Sequence, residues 1–411
     1  MALIVQKFGG TSVGSVDRIA TVADRVAGYR ARGDDVVVVV SAMAGETNRL
    51  LALGRECAAG GAPDPREMDA LVATGEQVSS ALLAIALSDR GVPARSLLGH
   101  QIRMRTDAAF TKARIRTIDD APLRRVLDAG RVAVVAGFQG IDEAGNITTL
   151  GRGGSDTSAV ALAAALDADL CEIFTDVDGV YTTDPRIEPR ARKIARISYE
   201  EMLELASLGA KVLQIRSVEM AMKHGVAVHV RSSFSDAEGT LVTEEDESLE
   251  AIVVAGVALD RDVAKVTVRG VVDEPGLAAK IFEALAESQI SVDMIIQNVS
   301  EDGRTDVTFT VTRGDLESAR PIAEAAIGET KRHAVIFDTD VVKVSIVGLG
   351  MRSHAGVAAR MFRILGDAGI NIDAISTSEI KVSCLIDEER GEDAVRALHG
   401  GFALHETRND G

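Results

Sequence analysis

The residues Thr148-Thr149-Leu150-Gly151-Arg152-Gly153-Gly154-Ser155-Asp156-Thr157-Ser158 concentrate anion-binding chemistry in one short stretch. A glycine-rich loop that opens a helix leaves backbone N–H groups unpaired at the positive end of the helix dipole, and an anion can sit there. Gly151, Gly153 and Gly154 have no side chain to hold that anion off, while Arg152 offers a planar donor fork for a carboxylate or phosphate. The competing reading is an ordinary strand-to-helix turn, for which one glycine would suffice. A second glycine loop, Gln6-Lys7-Phe8-Gly9-Gly10-Thr11-Ser12, follows the apolar run Ala2–Val5 and puts Lys7 at a strand's C-terminal end. Open α/β sheets seat their ligands at such ends, although a lysine there can also be a snorkelling surface residue. Ser41-Ala42-Met43-Ala44-Gly45-Glu46-Thr47-Asn48 is a third polar loop of this kind. In Thr74-Gly75-Glu76 a glycine interrupts a helical pattern at a cost of about 1 kcal/mol against alanine, which points to close packing or a ligand beside Glu76, although a glutamate alone is more often a solvated face residue. Asp176 and Asp178, two apart at a strand end, are spaced for nucleotide or Mg²⁺ work, although Asp-x-Asp-Gly is also a common turn.

These loops need rigid elements to present them. Val36–Val40 is a continuous β-branched run, which marks a central parallel strand covered on both faces. Further strands are predicted near Ala94–Leu98, Arg131–Phe138, Cys171–Phe174 and Ala227–Val230. Helices are predicted around Ile19, Val22 and Val26, over Arg66–Asp89 after Pro63 and Pro65, from the central loop to Asp167, and over Glu200–Leu208. The alternation is that of an α/β protein with a mainly parallel sheet. A chain of 411 residues exceeds one compact core and predicts two or three domains. A net charge of −17 and the absence of tryptophan argue against nucleic acid and anionic membranes as partners, so an anionic ligand must be caught by a local positive site. Cys57, Cys171 and Cys384 are far apart and the seven histidines show no ligand spacing, so reduced thiols, a cytoplasmic location and no metal site are expected. The longest purely apolar runs fall short of a membrane span, and no export signal is expected.

The acidic segment Asp236–Glu250 reads as a domain boundary, and beyond it the chain repeats. Lys265-Val266-Thr267-Val268, Gly276-Leu277-Ala278-Ala279 and Ile290-Ser291-Val292-Asp293 recur as Lys343-Val344-Ser345-Ile346, Gly356-Val357-Ala358-Ala359 and Ile370-Asn371-Ile372-Asp373. Each copy reads strand, helix, strand, strand, helix, strand, a ferredoxin-like βαββαβ unit with sheet edges open to pairing. Gly348-Leu349-Gly350 suggests a dinucleotide fingerprint, but Ser353 stands where its third glycine belongs.

In order and spacing, the loops at Lys7–Ser12, Gly151–Thr157 and Thr175–Thr182 look like the three signatures of the aspartate kinase family, and the resemblance extends over essentially the whole chain. It implies an amino-acid kinase fold, an open and mainly parallel sheet sandwiched by helices, over residues 1–245. Two ACT domains are implied at 246–340 and 341–411. It implies transfer of a phosphoryl group from ATP, with Mg²⁺, to the β-carboxylate of L-aspartate, the first step toward lysine, threonine, methionine and isoleucine. Lys7, Arg152 and Asp176 are implied as catalytic. Arg152 would pair with the α-carboxylate of aspartate and Glu76 with its ammonium, Thr47 would support the same pocket, and Gly153, Gly154 and Ser155 would also bind the substrate. ATP would lie against Lys7, Phe8, Gly9, Gly10, Ser41, Ser155, Thr175, Asp176, Tyr181, Arg186, Lys211 and Val212. Asn48 departs from the aspartate often found there in the family. No P-loop or protein-kinase motif occurs.

The resemblance also implies feedback inhibition and assembly into homo- or hetero-oligomers through the ACT domains. A threonine-type pocket would use Asp273, Gly276, Ala278, Ser291, Val292, Asp293 and Gln297. A lysine-type pocket would use Val357, Ala358, Asn371, Ile372, Ser378 and Glu379. Two other readings remain: a glutamate or N-acetylglutamate kinase of the same fold, and a non-catalytic amino-acid sensor.

Overall fold

The computed structural model describes residues 2–58, 60–208, 212–245, 252–299, 303–326 and 334–406. The chain forms two compact units, one of Met1–Val180, Lys193–Ser207 and Lys211–Leu249, the other of Tyr181–Arg192, Leu208–Ala210 and Glu250–Gly411.

The first unit is built on an eight-stranded sheet. Its strands run in the spatial order Arg196–Ser198, Thr240–Thr243, Val228–Ser232, Leu170–Thr175, Leu3–Phe8, Asp35–Val40, Val132–Ala136 and Ala94–Leu97. Every pair is parallel except Val228–Ser232 with Thr240–Thr243. Val36 to Val40 are all fully buried, each side chain contributing about 1.5–3 kcal/mol. Ile4, Phe8, Val36, Val38 and Val40 point to one face and pack with Ile19, Val22 and Val26 of the helix Val16–Ala31 and with Leu83 and Leu87 of Thr74–Asp89. Ser15 starts the first of these helices by accepting from the Arg18 N–H. The intervening residues Val5, Val37 and Val39 are buried as well, and the helix Gly154–Leu166 packs on the same strands.

Two expectations are revised here. The helix expected over Arg66–Asp89 is two, Pro65–Val72 and Thr74–Asp89, separated at Ala73. By length and composition Pro65–Asp89 would pass for a membrane span, but half of it is buried and it holds the buried acids Asp69 and Glu76. The acidic segment at Asp236 is not boundary from its start, because Thr240–Thr243 completes a ladder with Val228–Ser232.

The second unit holds two four-stranded sheets. The first orders Ile295–Val299, Arg304–Val311, Ala264–Val272 and Ala334–Asp338, and with the helices Leu277–Glu287 and Leu316–Ala326 it is a contiguous βαββαβ unit. The second orders Gly256–Asp260, Val341–Val347, Lys381–Asp387 and Ala374–Thr377, with helices Val357–Asp367 and Gly391–Gly401. Its outer strand comes from ahead of the first repeat, whereas all of its strands were expected within 341–411. Gly256–Asp260 covers the edge of Val341–Val347 that would otherwise present unpaired backbone.

The repeats mirror each other in their charges. Lys265 pairs with Asp338 at 3.0 Å and Asp373 at 2.5 Å, while Lys343 pairs with Asp260 at 3.4 Å and with Asp293. Each strand lysine thus binds the outer strand of its own sheet and the loop aspartate of the other repeat. Tyr181–Arg192 also folds into this unit: the Val257 N–H donates to the Thr182 carbonyl at 2.7 Å, and Thr182 Oγ1 lies 3.0 Å from Nε2 of the buried His399.

Candidate active site

Parallel pairing lines up the strand ends that carry the polar loops. Phe8 is opposite Val40 and Phe174, and Val40 is opposite Ala136, so Gly9, Ser41, Gly137 and Thr175 emerge side by side. Lys7 is 8% exposed at this edge, and its Nζ is 2.6 Å from Asp156 Oδ1 without hydrogen-bond alignment. Asp156 stands in the first turn of Gly154–Leu166, where the dipole favours an acid. Asp156 thus supplies the counter-charge that offsets the cost of burying a lysine at the strand end.

Gly75 lets the Ser41–Ala42 loop approach its helix, since a Cβ there would fall 2.7 Å from that of Ala42. The approach brings the Ala42 N–H to Glu76 Oε1 at 3.0 Å. Glu76 is 3% exposed, and its Oε2 is buried with no hydrogen-bond partner among the described residues. Burial pushes its carboxyl up to about 7, against the opposing pull of the Ala42 hydrogen bond. A buried acceptor left open in this way suits a cationic ligand group.

The central loop is braced from below. Buried Asp69 accepts from the N–H groups of Thr111 and Thr149, both at 2.8 Å, and from the Thr149 hydroxyl at 2.6 Å. Burial raises its pKa despite these bonds. Arg152 is exposed and has no partner among the described residues. The Gly154 N–H donates to the Gly151 carbonyl at 2.9 Å, and among the described residues the Gly153 and Ser155 N–H groups have no backbone acceptor. The donors available to an anion are therefore those of Gly153 and Ser155, with that of Gly154 engaged in the turn.

The amino acid kinase family model matches residues 2–232, and two ACT domain models match residues 266–328 and 344–402. Over 412 aligned positions covering 100% of both chains, the chain is 59% identical to the aspartate kinase of Pseudomonas fluorescens (strain SBW25). The chain belongs to the aspartate kinase family. Two solved structures of E. coli aspartokinase III, one in complex with aspartate and ADP (R-state) and one with lysine and aspartate (T-state), each match with a TM-score of 0.77. They are 29% and 30% identical, and the alignments cover 97% of this chain and 99% of theirs.

In this aspartate kinase family member, Lys7, Ser41, Thr47, Glu76, Arg152, Gly153, Ser155, Thr175, Asp176 and Val212 belong to the first unit. Phe8 has its ring in the core, stacked on Phe174 with centroids 4.7 Å apart, so only its backbone is at the edge. Asp178 Oδ2 lies 3.3 Å from Lys193 Nζ, which leaves Asp176, exposed and accepting from Thr175 Oγ1 at 3.1 Å, as the freer of the two aspartates. Tyr181 and Arg186 are in the stretch that folds with the second unit, where Arg186 pairs with Asp184 at 2.7 Å. Lys211 lies outside the described residues. Asp156 and Asp69 were not expected to have these roles. Asp156 was visible only as a helix-start acid, and nothing in the spacing of Asp69 links it to Thr149.

In the second unit, Gly276 and Gly356 occupy matching positions. Each is a left-handed N-cap residue without a side-chain cap, at the start of Leu277–Glu287 and Val357–Asp367 respectively. Gln297 Nε2 lies 3.5 Å from Asp273 Oδ1, and Ala278, Ser291, Asn371, Ser378 and Glu379 are exposed. Val292, Ala358 and Ile372 are half-buried, and Val357 is buried. Asp293 is held by Lys343.

Proposed function

We propose that the site transfers the γ-phosphoryl group of Mg²⁺-ATP to the β-carboxylate of L-aspartate, giving 4-phospho-L-aspartate and ADP. The observation that carries the substrate assignment is the buried, unpartnered Oε2 of Glu76, which an α-ammonium group would satisfy. Arg152 and the N–H groups of Gly153 and Ser155 take the α-carboxylate, and Thr47 supports the same pocket. No general base is needed, because a carboxylate with a pKa of about 4 is already ionised at neutral pH. The chemical demand is charge cancellation among three anionic groups held in line, and Lys7, positioned by Asp156, supplies a fixed cation for it.

Among the described residues no group of three or more metal-binding side chains occurs. In this proposal Mg²⁺ arrives on the triphosphate, where it keeps several waters and needs only one or two carboxylates. Asp176 would be that carboxylate, and the ion would neutralise charge developing on the phosphoryl oxygens. Thr175, Tyr181, Arg186, Lys211 and Val212 complete the nucleotide assignment. A cytoplasmic location belongs to the same reading.

ADP release measured with aspartate, glutamate and N-acetylglutamate is expected to show turnover with aspartate alone. Equal turnover of N-acetylglutamate, which has no ammonium for Glu76, would sink the assignment, and no release with any of them would favour the sensor.

Residues 1–245 form the catalytic domain in this proposal, followed by regulatory repeats at 246–340 and 341–411 with Gly256–Asp260 built into the second. The repeats take threonine and lysine at the loops opened by Gly276 and Gly356, whose uncapped helix starts suit a carboxylate. The exposed Ile295 and Ile375, on the outermost strands Ile295–Val299 and Ala374–Thr377, suit pairing with another chain. An effector at Asp293 would be felt across the repeats through Lys343. Lys343→Met is therefore expected to raise the threonine concentration for half-inhibition roughly tenfold, about 1.4 kcal/mol of coupling, at unchanged basal activity. An unaltered inhibition curve would remove Lys343 from the regulatory path.

A further inference from the structure

The loop carrying Arg152 is gripped by the start of the helix Ile215–His224. Gly153 adopts φ +70°, and a Cβ built there would fall 1.7 Å from Cγ of Gln214 and 2.4 Å from its Cδ. The stem of Gln214 therefore lies directly on the Gly153 Cα, in a contact that only glycine permits. Arg216 grips the same loop one turn earlier, donating to the Leu150 carbonyl at 2.5 Å and the Ala113 carbonyl at 2.9 Å. The Ala113 N–H in turn donates to the Thr149 carbonyl at 2.9 Å. The backbone at Gln214 is fixed as the helix N-cap, its carbonyl accepting from the Ser217 and Val218 N–H groups and from the Ser217 hydroxyl. Its carboxamide makes no hydrogen bond to any described residue, so its packing stem is what ties it to the loop.

We propose that Gln214 is a positioning residue for the phosphoryl acceptor, acting through Gly153. By covering the Gly153 Cα it holds this residue in the left-handed conformation that places the Gly153 N–H and the adjoining Arg152 fork. The inference rests on the reading of Arg152 as the partner of the aspartate carboxylate. The contact needs a side chain of Gln214's length and not its amide, which separates this role from a direct hydrogen bond to substrate.

The test compares Gln214→Ala and Gln214→Met with Arg152→Ala by steady-state kinetics in both substrates, together with thermal melting. Gln214→Ala is expected to raise the aspartate KM about tenfold, with kcat at saturating aspartate and the ATP KM within about twofold of wild type. Gln214→Met, which keeps the stem, is expected to restore the aspartate KM. An unchanged aspartate KM in Gln214→Ala, a methionine variant as impaired as the alanine one, or a joint loss of melting temperature and ATP KM would each overturn the proposal. Arg152→Ala separates the two layers. If it leaves the aspartate KM unchanged, the underlying reading fails; if it raises that KM while Gln214→Ala does not, only the role of Gln214 fails.

Discussion

Lys7→Met is expected to lower kcat about 10³-fold and to destabilise the first unit by about 3–5 kcal/mol. The kinetic loss arises because the ammonium is the fixed positive charge at the sheet edge nearest the proposed phosphoryl path, and its interaction strengthens as charge develops in the transition state. The stability loss has a separate origin. Asp156 lies 2.6 Å from Lys7 Nζ, both side chains are 11% exposed, and removing the cation leaves a largely buried carboxylate without its counter-charge. Adding Asp156→Asn to Lys7→Met is therefore expected to recover most of the stability and none of the turnover. Urea denaturation of the single and double variants, with ADP release measured on each, checks both parts. Turnover above a tenth of wild type in the single variant would remove Lys7 from the chemistry. A double variant no more stable than the single one would show that the ion pair is not what makes Lys7 structurally expensive to lose.

Glu76→Gln is expected to reduce kcat/KM for aspartate by about 10²–10³-fold while stabilising the ligand-free protein. Losing the charge partner of a buried ammonium costs about 2–5 kcal/mol of binding. In the free protein the same carboxylate is a burden, because burial raises it from 4.5 to about 7. The folded state holds a proton that the unfolded state releases near pH 4.5. The burden is therefore absent below the ordinary carboxylate range, grows as pH rises, and is complete above about 7, where it reaches about 3 kcal/mol. The stability of Glu76→Gln relative to wild type should rise across that window and then level off. The wild-type profile of kcat/KM for aspartate should fall on the acid side near pH 7, and that limb should be lost in the variant. Equal stability of the two proteins at pH 5 and pH 8, or an unshifted acid limb, would count against an ionised Glu76 as the ammonium partner.

Much of the kinase unit was legible in the sequence because its signals are local. Val36–Val40 announces a strand buried on both faces whatever its neighbours, and glycine loops after apolar runs place ligands at strand ends in any open parallel sheet. The C-terminal duplication was legible for the same reason, as one pattern written twice. The position of Gly75 exposed close packing beside Glu76, but neither its partner Ala42 nor the orphaned Oε2 has any signature in spacing.

What required the tertiary structure are contacts between residues remote in the chain. Asp156 meets Lys7, Asp69 braces Thr149, and Gln214 covers Gly153, each because a particular crossover brings two elements together. Local periodicity carries no information about such crossovers. The same limit explains the second repeat, whose outer strand Gly256–Asp260 belongs by sequence ahead of the first copy and by pairing beside Val341–Val347. Residue type and spacing determined the chemistry on offer, an anion loop, a lysine at a strand end and a glutamate beside a helical glycine. Only the packing decided which partner each charge received, because the free energy of a buried charge depends on the groups folded against it.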